Sequence, residues 1–234
     1  VNISMERIDE IHAMDDEETA QRHVTAVADI SIHLEHVSFK YDRMKSTNIL
    51  DDITLDIPQG RVTAIVGTSG SGKTTLAKLI LGHYAPLQGH IDVGGTPLGS
   101  ISLAWWRRQC GVVMQDGRLF EESIAQNIAL GYDEIDPDRI EYAAHMANIL
   151  DYIDQLPMGF DTILYQGGQN LSNGQRQRLL IARAIYRMPR LFVFDEATNS
   201  LDTNNETAIV NNLQEVFHDK TVVLIAHRLS TVRH

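Results

Sequence analysis

One cysteine, Cys110, is all the thiol chemistry that the 234 residues contain. An internal disulfide and a cysteine-rich metal site are therefore excluded, and the expected compartment is a reducing one, the cytoplasm. No run approaches the roughly 18 to 20 uninterrupted apolar residues of a membrane-spanning helix, and no basic stretch followed by an apolar one opens the chain. Neither a span nor a secretory leader is expected within these residues. Basic residues are also scarce. Lys plus Arg number 20 against 31 Asp plus Glu, a formal charge of -11, so the molecule as a whole repels nucleic acid and anionic lipid. An anionic ligand has to be captured locally. The ten histidines show no zinc-type spacing, and there is neither an internal repeat nor a low-complexity tract. What remains, 43% hydrophobic and 22% charged, suits one large domain or two subdomains.

Residues 1 to 23 run polar and acidic, with Ile3, Ile8 and Ile11 as aliphatic spacing and an acidic run from Asp15 to Glu18. This pattern predicts a helical lead-in followed by linker, and residues 1 to 30 are assigned to it. The chain opens on Val1 and stops at His234, just after a strand-like run, so a piece of a longer protein is expected. Between the ends, short β-rich runs alternate with helix-like stretches and Gly/Pro punctuation. The runs are Ile32 to Tyr41, Ile49 to Ile57, Val62 to Val66, Gly111 to Met114, Leu191 to Asp195 and Thr221 to Ala226. Such alternation argues an α/β fold. The last three runs are almost wholly apolar, as central parallel strands are when buried on both faces. The early runs alternate and read as antiparallel. Residues 116 to 188 carry helical signals, with Asp136-Pro137 as a start and Met188-Pro189 as a stop, and predict a helical insertion. Of the neighbours Trp105 and Trp106, one is expected in the core, and Cys110 reads as a small apolar filler.

The sharpest signal is GTSGSGKTT, comprising Gly67, Thr68, Ser69, Gly70, Ser71, Gly72, Lys73, Thr74 and Thr75. It satisfies G-x-x-x-x-G-K-[ST] directly after one predicted strand and directly before a helix carrying Leu76, Leu79 and Ile80. The glycines let successive N–H groups curl around phosphate oxygens, and the helix N-terminus adds its positive dipole end. Lys73 supplies a charge to the β and γ phosphates, and Thr74 a hydroxyl to magnesium. A second carboxylate is needed on the magnesium side. Leu191 to Glu196, LFVFDE, ends an apolar strand in Asp195, which can reach the magnesium shell, and Glu196, which can sit by the γ-phosphate and deprotonate water.

With LSNGQ from Leu171 to Gln175, then RQRLLIARA, LFVFDEATNSLD and IAHRLS, the sequence from about residue 31 to the end resembles the nucleotide-binding domain of an ABC ATPase. The resemblance implies a phosphate-loop NTPase core with a mainly parallel sheet, an antiparallel β subdomain and a helical subdomain at about 116 to 188. It implies ATP and Mg2+ as ligands. By position, Tyr41 in FKYD matches the aromatic that stacks on adenine, with a strand-end core tyrosine as the alternative. Gln115 matches the glutamine that touches magnesium and the attacking water. Asp202 matches a loop crossing between two heads, and His227 the histidine at the γ-phosphate. Ser172, Gly174 and Gln175 open a helix whose N-terminal amides suit an anion that this chain's own phosphate loop does not supply. In the family that anion is ATP on a second copy, so a homodimer sandwiching two ATP molecules is implied.

Two departures stand out. Asn173 replaces the usual glycine of the signature, and Gln166 stands where many exporters place a glutamate. The resemblance also implies a terminal hairpin and helix beyond His234. Residues 3 to 18 resemble the stretch joining a membrane domain to the ATPase on one polypeptide, which favours an exporter at the cytoplasmic face of the membrane. CGVVMQDGRLFEESIAQNIA resembles exporters of peptides, with lipid or drug exporters and a soluble ABC ATPase as the alternatives. Leu119 and Phe120 are candidates for gripping the membrane domain, or ordinary core residues. No nucleic-acid partner is expected.

Overall fold

A computed structural model of the chain describes residues 21–42, 47–165, 168–195 and 203–226. The strands are β1 (Ile32–Phe39), β2 (Leu50–Ile57), β3 (Val62–Val66), β4 (Gln88–Val93), β5 (Thr96–Pro97), β6 (Cys110–Val113), β7 (Leu191–Asp195) and β8 (Thr221–Ala226). They form two sheets, an antiparallel one ordered β2-β1-β4-β5 and a parallel one ordered β3-β8-β7-β6. The α/β expectation holds.

The apolar runs of β7 and β8 act as the partition of the molecule. Phe192 and Phe194 point into a core built largely from the helices of the 124–186 region, whereas Leu191 and Val193 point into a second core shared with the antiparallel sheet. Val222 and Val223 divide in the same way. With side chains alternating across a strand, a strand between two cores has to be apolar at every position.

β3 departs from expectation. It runs parallel to β8, Val62 opposite Val222 through Val66 opposite Ala226, rather than antiparallel with the early runs. A strand that feeds directly into a helix returns to its sheet through a crossover, which makes the pairing parallel. The pair β4 and β5 was not anticipated, because QGHIDV offers only two apolar side chains. In β1 the inward alternation Ile32, Leu34 resumes as Val37, Phe39. The extra residue is a bulge at His36, whose φ of 50° is left-handed, with register shifts against both neighbours.

The helices are α1 (Lys73–Ile80), α2 (Leu103–Gln109), α3 (Ile124–Ile128), α4 (Pro137–Met146), α5 (Leu150–Asp154), α6 (Asn173–Tyr186) and α7 (Thr203–Val216). As expected, the 116–188 region is helical, and among the described residues its only β pairing is an isolated bridge between Ser123 and Ile163. α4 starts on an Asp136 cap with Pro137 in its first turn, a start written in the sequence. Trp106 is fully buried and donates its indole N–H to the Ile80 carbonyl at 3.0 Å. Burial of Cys110 pushes its thiol pKa up, as an apolar filler requires.

Residues 1 to 20, with the predicted lead-in helix, lie outside the described residues. From residue 22 the chain lies against the domain. Arg22 donates to the carbonyls of Leu98 and Ile101 at 3.1 and 3.0 Å, and Val24 bridges to Ile101. Arg190 forks onto the carbonyls of Val27, at 2.9 Å, and Ala28. Ile30 is buried and its N–H reaches the Gln59 side chain at 2.8 Å.

Candidate functional site

The loop between β3 and α1 is shaped by two glycines in the left-handed region, Gly70 at φ 78° and Gly72 at φ 88°. Gly72 caps α1 from the front without a side-chain hydrogen bond. A Cβ there would lie 2.7 Å from Cδ2 of Leu50 and 3.0 Å from the Ile49 carbonyl, so β2 closes one side of the loop. Lys73 is only 8% exposed. Its Nζ donates to the carbonyls of Gly67 at 2.9 Å and Thr68 at 2.8 Å, with the Ser71 hydroxyl at 3.5 Å. Loop and ammonium thus form one closed ring, the concavity in which phosphate oxygens are held by N–H groups and charge.

At the next residue the Thr74 hydroxyl donates to Oδ2 of Asp195 at 2.6 Å, across 121 positions of sequence. Asp195 is wholly buried at the end of β7. Threonine hydroxyl and carboxylate in contact are hard oxygen donors, the set that a small divalent cation such as Mg2+ prefers. Ser69, Gly70, Lys73, Thr74 and Thr75 line a pocket of about 250 Å³ together with Gln115. The predicted residues from Gly67 to Thr75 are therefore brought together with Gln115 and Asp195.

Tyr41, half-exposed and two residues past the end of β1, reaches the first turn of α1, its hydroxyl 3.2 Å from Oγ1 of Thr75. Ser172, Gly174 and Gln175 do not line the pocket. They form the start of α6, where the exposed Ser172 accepts the Gln175 N–H at 3.1 Å and Oε1 of Gln175 accepts the Ser172 N–H at 2.9 Å. This reciprocal capping box was legible as S-x-x-Q and holds the helix start rigid. As expected, Leu179, Ala182 and Ile185 are buried on the other side of that helix. Glu196, Asp202, His227 and Gln166 lie outside the described residues. Leu119 is buried and Phe120 half-exposed, with the Arg183 guanidinium 5.7 Å from its ring centre.

Sequence reasoning missed a polar network joining the Gln115 loop to α6. Asn127 is 1% exposed. Its amide donates to the carbonyls of Phe120 and Ser123, both at 3.0 Å, and its oxygen accepts from the Phe120 N–H at 2.8 Å. Arg183 of α6 then donates to Asn127 and to the Arg118 carbonyl. A polar residue among Ile124, Ala125 and Ile128 was the available signal. Burial, with Arg187 nearby, lowers the Arg183 pKa to about 10, so the guanidinium remains charged at neutral pH.

The ABC transporter family profile matches residues 50–199 of the chain. The chain belongs to the ABC transporter family. It is 45% identical over 203 residues to the toxin RTX-III translocation ATP-binding protein of Actinobacillus pleuropneumoniae. It is 44% identical over 203 residues to the leukotoxin translocation ATP-binding protein LktB of Mannheimia haemolytica. Both alignments cover 87% of this chain and 28% of the relative, so the chain spans little more than a quarter of their length. Among solved structures, a bacterial Atm1-family ABC exporter with ATP bound superposes with a TM-score of 0.90 at 35% identity, over 98% of this chain and 41% of that one. The ring around Lys73 and the Thr74–Asp195 contact both lie within the residues that the family profile matches. No described helix is long and apolar enough to cross a membrane.

Proposed function

We propose that this domain binds and hydrolyses ATP as the motor head of an exporter, working as a pair with a second copy and fused to a membrane domain on the same polypeptide. The observation that carries the reading is the 2.6 Å contact of Thr74 with Asp195, beside a buried lysine ringed by its own loop. It couples the residue next to the phosphate-binding lysine to a buried carboxylate, as a nucleotide–Mg2+ site requires.

In this reading the Gly67–Thr75 amides and Lys73 hold the phosphates, and Tyr41 stacks on adenine. Thr74, Asp195 and Gln115 would hold Mg2+, which would supply charge neutralisation on the phosphate oxygens. Glu196 orients a water and takes its proton as the oxygen bonds to the γ-phosphorus. The bond from that phosphorus to the bridging oxygen breaks, and ADP leaves with the electron pair. His227 contacts the γ-phosphate. Ser172 and Gly174 present the exposed start of α6 to the nucleotide of the second copy, with Gln175 bracing that start and Asp202 on the crossing loop. ATP binding closes the pair, and hydrolysis removes the contacts that held it. The cargo is a polypeptide and the site of action the cytoplasmic face of the membrane. The names of the relatives at 44 and 45% identity, translocation ATP-binding proteins of a toxin and a leukotoxin, support the cargo, and the likeness to a solved ABC exporter supports action at a membrane.

Molar mass by light scattering on the Glu196→Gln variant tests the cycle. A shift from monomer to dimer only with Mg-ATP, lost when Ser172→Arg is added, is the expected result. A variant that binds ATP and stays monomeric sinks the paired-head reading.

A further inference from the structure

The adenine-side tyrosine does not stand alone. Three rings from two separate parts of the chain meet beside the phosphate loop. Tyr41 packs edge-to-face on Phe39, centroids 5.1 Å apart at 86°, and on Tyr84, 5.2 Å apart at 82°. Phe39 and Tyr84 close the triangle at 5.5 Å and 44°. Edge-to-face contacts at these separations fix ring orientation as well as position, because the positive rim of one ring meets the negative face of the next.

Tyr84 is itself held by rigid elements. It lies in the connection from α1 to β4, whose first part is closed by the left-handed Gly82, with the Gly82 and His83 N–H groups on the carbonyls of Leu79 and Lys78. Its last part is tied to β1, where the Leu87 N–H reaches the Ser38 carbonyl at 2.9 Å. Phe39 is 5% exposed and belongs to the core, whereas Tyr41 and Tyr84 are 49% and 43% exposed. The Tyr41 hydroxyl adds a third anchor on Thr75. A half-exposed aromatic at the end of a strand otherwise samples several χ1 rotamers. Here the triangle and the hydroxyl select one.

From this geometry we infer that Tyr84 is a positioning residue for nucleotide binding: it holds the Tyr41 ring in the orientation that receives the base, and acts on affinity through that ring alone. The inference rests on the reading of Tyr41 as the adenine shelf. It makes base recognition depend on the connection after α1, a segment outside every motif of the sequence.

Binding of ADP and of inorganic pyrophosphate, both with Mg2+, separates the possibilities, because only ADP carries a base. Calorimetry on Tyr84→Leu is expected to show ADP weakened by about three- to tenfold, the worth of one aromatic pair, with pyrophosphate unchanged. Tyr84→Phe keeps the ring and retains wild-type affinity. In a Tyr41→Ala background, itself weakened by about tenfold or more for ADP, adding Tyr84→Leu causes no further loss, since the two act as one unit. Equal weakening of ADP and pyrophosphate overturns the inference, because Tyr84 then supports the phosphate loop. Additive losses, or an unchanged Tyr84→Leu beside a weakened Tyr41→Ala, overturn it as well. An unchanged Tyr41→Ala removes the adenine shelf and, with it, the inference.

Discussion

The Lys73 ammonium sits among carbonyls of its own loop, and that arrangement depends on backbone angles only glycine adopts without strain. Gly70 and Gly72 share the left-handed conformation but differ in surroundings. A Cβ at Gly70 meets nothing within 4 Å, whereas one at Gly72 meets both Leu50 and Ile49. Gly70→Ala is therefore expected to cost about 1 to 2 kcal/mol of conformational strain and leave the loop usable. Gly72→Ala adds a collision with β2 and is expected to cost about 2 to 4 kcal/mol and weaken ADP binding by at least about tenfold. Thermal melting and ADP calorimetry on the two variants measure the difference. The loop was legible at this scale because its chemistry is local, nine consecutive residues from the end of β3 into the first turn of α1. That Thr74 and Asp195 belong to one site was legible too, since one lies in the first turn of the helix that follows an apolar strand and the other ends such a strand, but their direct contact was not. Tyr84 was not, because nothing in residues 41 and 84 themselves says that their rings will meet.

Among the elements, α6 packs against α3, α4 and β6. Its start is capped by Ser172 and Gln175, and its buried side packs under α3 and α4. Arg183 ties it to the loop that follows Gln115. Asn127 is the centre of that tie, serving the N–H of Phe120, the carbonyls of Phe120 and Ser123, and the Arg183 guanidinium. Asn127→Ala strands these buried groups together. The expected loss is about 2 to 4 kcal/mol, read from urea unfolding, and the exchange of amides in residues 118–123 should rise with it. An unchanged midpoint would show that water replaces the side chain. Elements with a single strong signal were read correctly from sequence, among them β7, β8 and the Pro137 start of α4. β3 was assigned the wrong pairing because its own alternation describes its burial and says nothing of its neighbour. β4 was passed over because its pairing with β1 rests on register around the His36 bulge, where Gly89 lets the backbones of the two strands approach without a side chain between them, and β5 because it is two residues long and pairs with β4.

At the scale of the whole molecule, the parallel sheet separates two cores that the apolar pattern alone could not assign to their separate faces. The segment from residue 22 to residue 30 is bound to one side of this frame, with Arg190 as its principal clasp. Arg190→Ala is expected to leave the two cores intact and free the strap. Hydrogen exchange at residues 22–30 should accelerate while the strand amides of β7 and β8 keep their protection. Loss of protection in the strands as well would mean that the strap is part of the frame itself. The clasp also defines where force can enter. Arg190 immediately precedes β7, and five residues further on the same strand ends in Asp195 against Thr74. A pull on the chain at residue 21 first loads the contacts of Arg22 and Val24 with Leu98 and Ile101, and what passes them reaches, through the Arg190 fork, one end of a short strand whose other end contacts Thr74. In mechanical terms β7 is a tie rod, and tension at the entry of the domain and chemistry at its pocket bear on the same five residues.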